Sequence, residues 1–507
     1  GRTDAAEFIN TFAGDNRHIV DYLMAEVLDG QPPQLRSFLL RTSVLPRLSS
    51  ALCDAVLEAT GSASVLKKIE RENLFCLPMD VSRHWYRYHQ LFAELLRTEL
   101  HRTEPDLIPS LHQRASTWFA GQGCIDEAVH HLVAAGDLPG TAELIAAHWV
   151  TAFNQGRLST VSGWLDLLAP EIVSGDLRLS VARAWTALDC GHLDEAGTWI
   201  EAIEATLRAD IDDADIISGQ IVILGAVHRF KSGDLAGALA TAQQAIAQDL
   251  GDAALGGPAA QCIYGSALYF SGHIHDAQCA YRAAVRQAEH VGNHPARTYA
   301  LGYLAVISAQ QGRLPEAEQH IHRATGSSTD LANKEHFVDT MISLATAIIL
   351  DMRGDGAAAA AAAERAVASA RRGGGVLEVA NALLIRAEIL RHVGEHSAAQ
   401  ASRNEAGTLL RGCTDASIGR RLLTTAKPNT GAAITTRTHG STVVEALTSK
   451  ELEVLRLLPT RLSRREIGQR LYVSLNTVKT HQRALHRKLG VEDRRAAVTR
   501  AREFGLL

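Results

Sequence analysis

No stretch of this sequence approaches the roughly 18 consecutive apolar residues that a helix needs to cross a bilayer. The longest candidate, MISLATAIIL at 341–350, reads as a buried helix. A basic segment followed by an apolar core, the mark of a secretory leader, is missing from the stretch GRTDAAEFINTFAGDN. The seven cysteines (Cys53, Cys76, Cys124, Cys190, Cys262, Cys279, Cys413) are scattered without a C-x-x-C. That suggests neither a disulfide framework nor a zinc knuckle, and it fits a reducing cytoplasm. Aromatic residues make up only 5% while alanine is abundant, which favours helix. No G-x-x-x-x-G-K-[ST] occurs, so the chain has no phosphate loop to cradle ATP.

What is present is a long and unevenly charged chain. At 507 residues it exceeds a single core and implies several domains in series. Residues 447–507 hold fourteen Lys/Arg against six Asp/Glu, whereas residues 1–446 hold 37 against 50. An acidic body therefore carries a basic end, the asymmetry that a phosphate-binding domain requires.

Capping signals organise that end. Thr448-Ser-Lys-Glu451 and Ser463-Arg-Arg-Glu466 each have the form of a capping box, in which side chains satisfy the first helical amides reciprocally. Ser474 is positioned to cap a third helix and Gly490 to stop it. At about 100° per residue, Val478, Leu485 and Leu489 share one arc of that helix. Asn476, Lys479, Thr480, Arg483 and Arg487 crowd the other, and no acid interrupts residues 474–491. Long cations mixed with short hydrogen-bonding side chains suit a major groove, where cations read guanine and phosphates fix the register.

The stretch LTSKELEVLRLLPTRLSRREIGQRLYVSLNTVKTHQRALHRKLGV resembles the LuxR-type helix-turn-helix over nearly its whole length. The family elements fall on Leu447–Leu455, Glu466-Ile467, Thr477–His481 and Lys488–Val491. The resemblance implies base contacts from Lys479, Thr480 and Arg483, and phosphate contacts from Thr477 and Lys488. Pro459-Thr460-Arg461 departs from the small-residue and glycine turn usual in that family, and Gln482 replaces a usual aliphatic.

The body carries an internal repeat. G-x-x-x-x-A recurs at Gly191/Ala196, Gly233/Ala238, Gly272/Ala277, Gly312/Ala317, Gly354/Ala359 and Gly394/Ala399, at intervals of 39 to 42 residues. Each unit reads as helix, glycine turn, and a second helix whose small alanine permits close packing, so the units stack into an α-solenoid. The tryptophan and tyrosine anchors of consensus tetratricopeptide repeats are missing, which makes these units TPR-like. The alanine run 357–363 is a strong helix former. His273/His275 and His320/His322 lack a ligand spacing and read as polar surface rather than a metal site.

Before the repeats, three helical segments precede two short strands, LFCLP and WYRYH, and then the helix HQLFAELLRTEL, the order of a winged helix. FLLRTSVLPRLSSALCDAV and RHWYRYHQLFAELLR resemble the arm of MalT-like regulators of the STAND class, which joins an ATPase module to a helical sensor. The stretch AAEFINTFAGDNRHIVDYLMAEVLD is similar to the segment just after that ATPase core. The resemblance thus implies ATP as a cofactor of an upstream module only, with none in this chain, and activation by nucleotide-dependent self-association.

The expected architecture is mainly all-α. Residues 1–30 are the tail of an ATPase module, 31–104 a winged-helix arm, and 105–176 the helical lead-in to the solenoid. Residues 177–411 are TPR-like repeats, 412–446 a Thr/Gly/Ala-rich flexible linker, and 447–507 the LuxR-type helix-turn-helix. The expected function is a non-enzymatic cytoplasmic DNA-binding transcriptional regulator, an activator. Expected partners are double-stranded DNA, RNA polymerase, an inducer on the solenoid and a second copy of the chain, but no membrane. A rival reading is a helical-repeat protein-binding scaffold with secondary DNA binding, distinguished by whether the solenoid captures a protein. An enzyme on a DNA anchor would need a catalytic cluster, and none is evident.

Overall fold

A computed structural model describes residues 28, 30–209, 214–247, 255–326, 337–413, 449–460, 462–471, 473, 475–489, 491 and 493–503. The chain divides into two compact units, Gly1–Ala426 and Lys427–Leu507. The expected ATPase tail, apart from its last residues, and the expected linker, apart from its first two, lie outside the described residues.

The first unit begins with helices α1 (Pro33–Thr42), α2 (Ser50–Leu57) and α3 (Ser62–Arg71), followed by strands β1 (Cys76–Pro78) and β2 (Tyr86–Tyr88) and helix α4 (Gln90–Thr103). The strands pair antiparallel, with Cys76 opposite Tyr88 and Pro78 opposite Tyr86. Leu48 joins this hairpin by exchanging both backbone hydrogen bonds with Tyr86, at 2.7 and 2.8 Å. Three helices under a small sheet form the winged helix that the sequence predicts. Asp80 makes its tip, its Oδ1 accepting from the amides of His84 and Trp85. The core of this arm, including Leu39, Leu52, Ile69, Phe92 and Leu96, continues without a break into Leu111, Ala115 and Phe119 of α5 (Ile108–Gly121) and Ala128 of α6 (Ile125–Ala134). Arm and lead-in are therefore packed as one body.

Helices α7 (Leu138–Asn154), α8 (Leu158–Asp166) and α9 (Pro170–Gly175) lead into six antiparallel helix pairs. These are α10 (Leu177–Asp189) with α11 (Leu193–Ala209), α12 (Ala214–Ser232) with α13 (Leu235–Ala247), and α14 (Gly256–Ser271) with α15 (Ile274–Val291). They continue as α16 (His294–Gln310) with α17 (Leu314–Thr325), α18 (Thr340–Met352) with α19 (Gly356–Arg371), and α20 (Val376–His392) with α21 (His396–Arg411). The repeat signature has a plain physical cause. All six turn glycines are left-handed, with φ between 75° and 89°, a conformation that costs any residue with a Cβ. Each partner alanine is buried at the helix crossing, from fully in Ala196, Ala238, Ala277, Ala317 and Ala359 to 6% exposed in Ala399. The alanine run lies in α19, where Ala359, Ala362 and Ala363 are enclosed, and MISLATAIIL lies in the buried α18.

The TPR-like solenoid curls far enough for its late turns to touch its early ones. Lys231, at the end of α12 and only 3% exposed, donates to the carbonyls of Leu188 (2.7 Å) and Gly373 (2.8 Å) and to Asp189 Oδ1 (3.1 Å). Its ammonium also sits 4.0 Å from the centre of the Phe337 ring. A second tie lies deeper, where Glu378 Oε1 accepts from the hydroxyls of Tyr299 and Tyr303, both at 2.8 Å, and its Oε2 from the amide of Gly375 at 2.7 Å. Burial, with Glu378 beside them, pushes both tyrosine hydroxyls well above their usual range, so they remain neutral donors.

Candidate nucleic-acid interface

The second unit contains α22 (Ser449–Leu457), α23 (Arg464–Arg470), α24 (Leu475–Leu489) and α25 (Arg494–Glu503). Val454, Leu455, Leu458, Ile467, Val478, Leu485, Ala497 and Ala501 form its core. The start of α23 follows the sequence signal: the Ser463 amide donates to Glu466 Oε2 at 2.7 Å and the Glu466 amide to Ser463 Oγ at 3.3 Å. Hydrogen bonding from Ser463, by its side chain first and its backbone amide second, holds the Glu466 carboxyl below its usual range. Thr448, Ser474 and Gly490, expected as caps and stop, lie outside the described residues.

Helix α24 separates its faces as the wheel predicts. Val478 and Leu485 are fully buried, whereas Lys479, Thr480, Arg483 and Arg487 are exposed and follow one another along the opposite side. Thr477 is half-buried at its first turn. The side chains of Asn476 and Leu489 lie outside the described residues, although both positions belong to the helix.

One expected contact is placed differently. Lys488, assigned to phosphate by the family resemblance, turns inward: its Nζ donates to Glu451 Oε2 at 2.8 Å, with the two side chains only 9% and 5% exposed. Ten residues beyond Val478, Lys488 lies on the flank of the core arc rather than opposite it, so its ammonium reaches α22. Gln482, where an aliphatic was usual, is 4% exposed, and its Oε1 accepts from Arg464 Nε at 2.7 Å. This bond ties α23 to α24 and accounts for a polar residue inside the domain.

Sequence reasoning missed Arg494. Its guanidinium donates to the carbonyls of Leu458 (2.9 Å), Leu462 (2.7 Å) and Thr460 (2.8 Å), with Leu457 at 3.5 Å. The chain at Pro459-Thr460, part of the departure from the family pattern, is thereby held from the start of α25, and Thr460 Oγ1 adds a 2.6 Å bond to the Leu457 carbonyl. A rigid fork of donors suits several converging carbonyls, a task a single ammonium performs less well. Backbone acceptors leave no trace in a hydropathy pattern, and only the position of Arg494 at a helix start could have hinted at it.

The geometry is a packed helix-turn-helix presenting a cationic helical face, and comparison with known proteins agrees. Residues 24–108 match the MalT winged helix domain, and residues 445–501 match the bacterial regulatory proteins of the luxR family. A stretch of 225 residues is 32% identical to the serine/threonine-protein kinase PknK of Mycobacterium tuberculosis, covering 42% of this chain and 20% of that protein. Another of 224 residues is 32% identical to the HTH-type transcriptional regulator MalT of Klebsiella pneumoniae, covering 44% of this chain and 25% of that protein. The matched stretch thus spans a quarter or less of the length of these relatives. Among solved structures, the STAND protein with a tetratricopeptide repeat sensor from Pyrococcus horikoshii aligns at 12% identity and a TM-score of 0.47, over 80% of this chain and 64% of that one. The chain thus carries a stretch similar to the MalT winged helix domain at residues 24–108 and one similar to the luxR-family regulatory domain at residues 445–501.

Proposed function

We propose that this chain is a DNA-binding transcriptional regulator, an activator, whose solenoid senses an inducer and controls the LuxR-type domain. The observation that carries the reading is the exposed row Lys479, Thr480, Arg483 and Arg487 on a helix whose opposite side is locked into the core by Val478 and Leu485. Such a helix can enter a major groove without losing its own packing, while α23 braces it across the backbone. In this reading Lys479, Thr480 and Arg483 read base edges, Thr477 and Arg487 meet phosphate, and RNA polymerase is the downstream partner. The reading assigns no catalytic step to these residues and places the protein in the cytoplasm. Self-association would present two basic domains to paired half-sites, and ATP would act through an upstream module.

The test is a titration of the full chain against operator duplexes enriched from a random library, at several salt concentrations. Affinity should fall steeply with salt, because a cationic face that contacts several phosphates releases their counterions. A response that is flat between low and moderate salt, or an enrichment that yields no preferred sequence, overturns the reading. Val478→Asp, which buries an uncompensated charge in the core, should abolish binding by unfolding the domain.

A further inference from the structure

Where the solenoid curls, its inner helices line a partly open cavity whose empty space, about 540 Å³, includes the solvent at its mouth. Its lining comes from six different elements: Phe153 of α7, Trp185 of α10, Phe230 of α12, Ile263 of α14, Tyr299 of α16, and Phe337 of the turn before α18. These are large apolar surfaces, in a chain poor in aromatic residues. The enrichment is local.

The charged groups on the wall are already engaged, and so are the Asn293 amide oxygen and the Tyr299 hydroxyl. Lys231 spends its three protons on Leu188, Asp189 and Gly373. Asp189 is matched by that ammonium, and the amide oxygen of Asn293 accepts from Ala296 at the start of α16. The hydroxyl of Tyr299 is bonded to Ser266 and Glu378. An entering carboxylate or ammonium would find its ion partner already paired, and a polyhydroxylated molecule would lose more hydrogen bonds to water than the wall could replace.

We infer that this cavity is a binding site for a compact, uncharged, predominantly apolar small molecule, held by Trp185, Phe230, Ile263 and Phe337 beneath the Lys231 tie; this names the chemical class of the inducer and rests on the inducer-sensing reading above. A molecule held by Trp185, Phe230 and Ile263 touches three of the helices that the curl brings together, α10, α12 and α14. It also touches Phe337, over which the Lys231 ammonium sits at 4.0 Å. Its binding therefore stabilises the closed arrangement in which Lys231 joins the Leu188 and Gly373 carbonyls.

The probe is N-phenyl-1-naphthylamine, a neutral aromatic dye, titrated into the full chain and followed by fluorescence, with the anionic 8-anilinonaphthalene-1-sulfonate in parallel. The neutral dye should saturate at one site per chain and raise the melting temperature of the solenoid. The sulfonate should bind that site at least about tenfold more weakly, since no unpaired cation awaits it. Ala259, which lines the cavity and is only partly buried, gives the blocking variants Ala259→Trp and the smaller Ala259→Leu. Both should weaken the dye in proportion to side-chain size while circular dichroism stays helical, and Ala259→Leu keeps the test valid if the tryptophan fails to fold. Non-saturating dye uptake, equal binding of both dyes, or full binding by a folded Ala259→Leu overturns the proposal. Duplex titration of the same preparation separates the outcomes: dye failure with intact DNA binding removes the cavity assignment alone, and loss of DNA binding with intact dye binding removes the regulator reading alone.

Discussion

Lys488 Nζ lies 2.8 Å from Glu451 Oε2 inside the helix-turn-helix, joining the last turn of α24 to the first turn of α22. Both side chains are nearly enclosed, so removing either partner leaves a desolvated charge behind. Glu451→Ala or Lys488→Ala should each destabilise this domain by about 3–5 kcal/mol, while the double variant Glu451→Leu/Lys488→Met should recover most of that loss. Hydrogen exchange of residues 449–503 in the full chain is the measurement. If Lys488→Ala instead leaves exchange unchanged and lowers DNA affinity uniformly across sequences, Lys488 is the phosphate contact that the family resemblance implied.

A histidine pair makes the arm sensitive to acid. His112 Nδ1 and His131 Nδ1 are 2.8 Å apart, and the His131 ring stacks on Phe119 with centroids 5.4 Å apart. Burial, then His112 and His130, push His131 down from 6.5 to about 4. The same burial lowers His112, with His101 and Arg97 adding repulsion. A base with a depressed folded-state pKa binds its proton more readily when unfolded. Stability is therefore complete above pH 6.5 and falls as the pH drops toward 4, by about 3 kcal/mol for His131. Denaturant midpoints measured at pH 7, 5.5 and 4.5 should decline in that order, and His131→Leu should flatten the slope. An unchanged slope in that variant would assign the acid sensitivity elsewhere.

The periodic parts of this fold were legible from residues alone, and the reason is local. A left-handed turn demands Gly191 or Gly233 whatever surrounds it, and a helix crossing demands Ala196 or Ala238 five residues on. The two faces of α24 follow from its own 3.6-residue period, which is why Val478 and Arg483 were separable on the wheel. What stayed hidden depends on partners remote in sequence. Lys231 meets Gly373 across 142 residues and Lys488 meets Glu451 across 37. Arg494 binds carbonyls that any sequence would supply. The cavity was equally illegible, because its six aromatic and aliphatic walls come from elements whose meeting only the curl of the solenoid decides.

That curl can be tested at one atom. A Cβ added to Gly373 would meet the Asp189 carbonyl oxygen at 2.0 Å, so the loop after α19 must withdraw from the end of α10. Withdrawal also pulls the Gly373 carbonyl from Lys231. Gly373→Ala should cost about 2–3 kcal/mol through overpacking and the lost hydrogen bond. Gly407→Ala is the comparison: it lies inside helix α21, where the nearest atom would be Nη1 of Arg411, on the same helix, at 3.9 Å. That change should be stabilising by about 0.5–1 kcal/mol, from helix propensity. Thermal unfolding of both variants decides, and a Gly373→Ala protein as stable as the parent would mean that the late and early turns are not held together.

The proposed base readout converges on Arg483, exposed on α24 one turn beyond Lys479 and Thr480 and one turn before Arg487. Both arginines are exposed and both would add positive charge near phosphate, so salt dependence alone cannot tell their roles apart. Geometry separates them. On a recognition helix the early residues reach base edges, while those further along rise toward the sugar-phosphate rim. A guanidinium making two parallel bonds to a guanine edge discriminates between bases, and one resting on phosphate does not. Arg483→Ala should therefore weaken binding to the selected operator by about 1–3 kcal/mol and barely change binding to a scrambled duplex. Arg487→Ala should weaken both to a similar extent and reduce the slope of affinity against salt by about one phosphate contact. Titrating both variants against both duplexes at fixed salt gives four affinities, and their ratios carry the answer. If Arg483→Ala lowers the two affinities by the same factor, its side chain rests on the backbone, and the reading of bases must be assigned to Lys479 and Thr480.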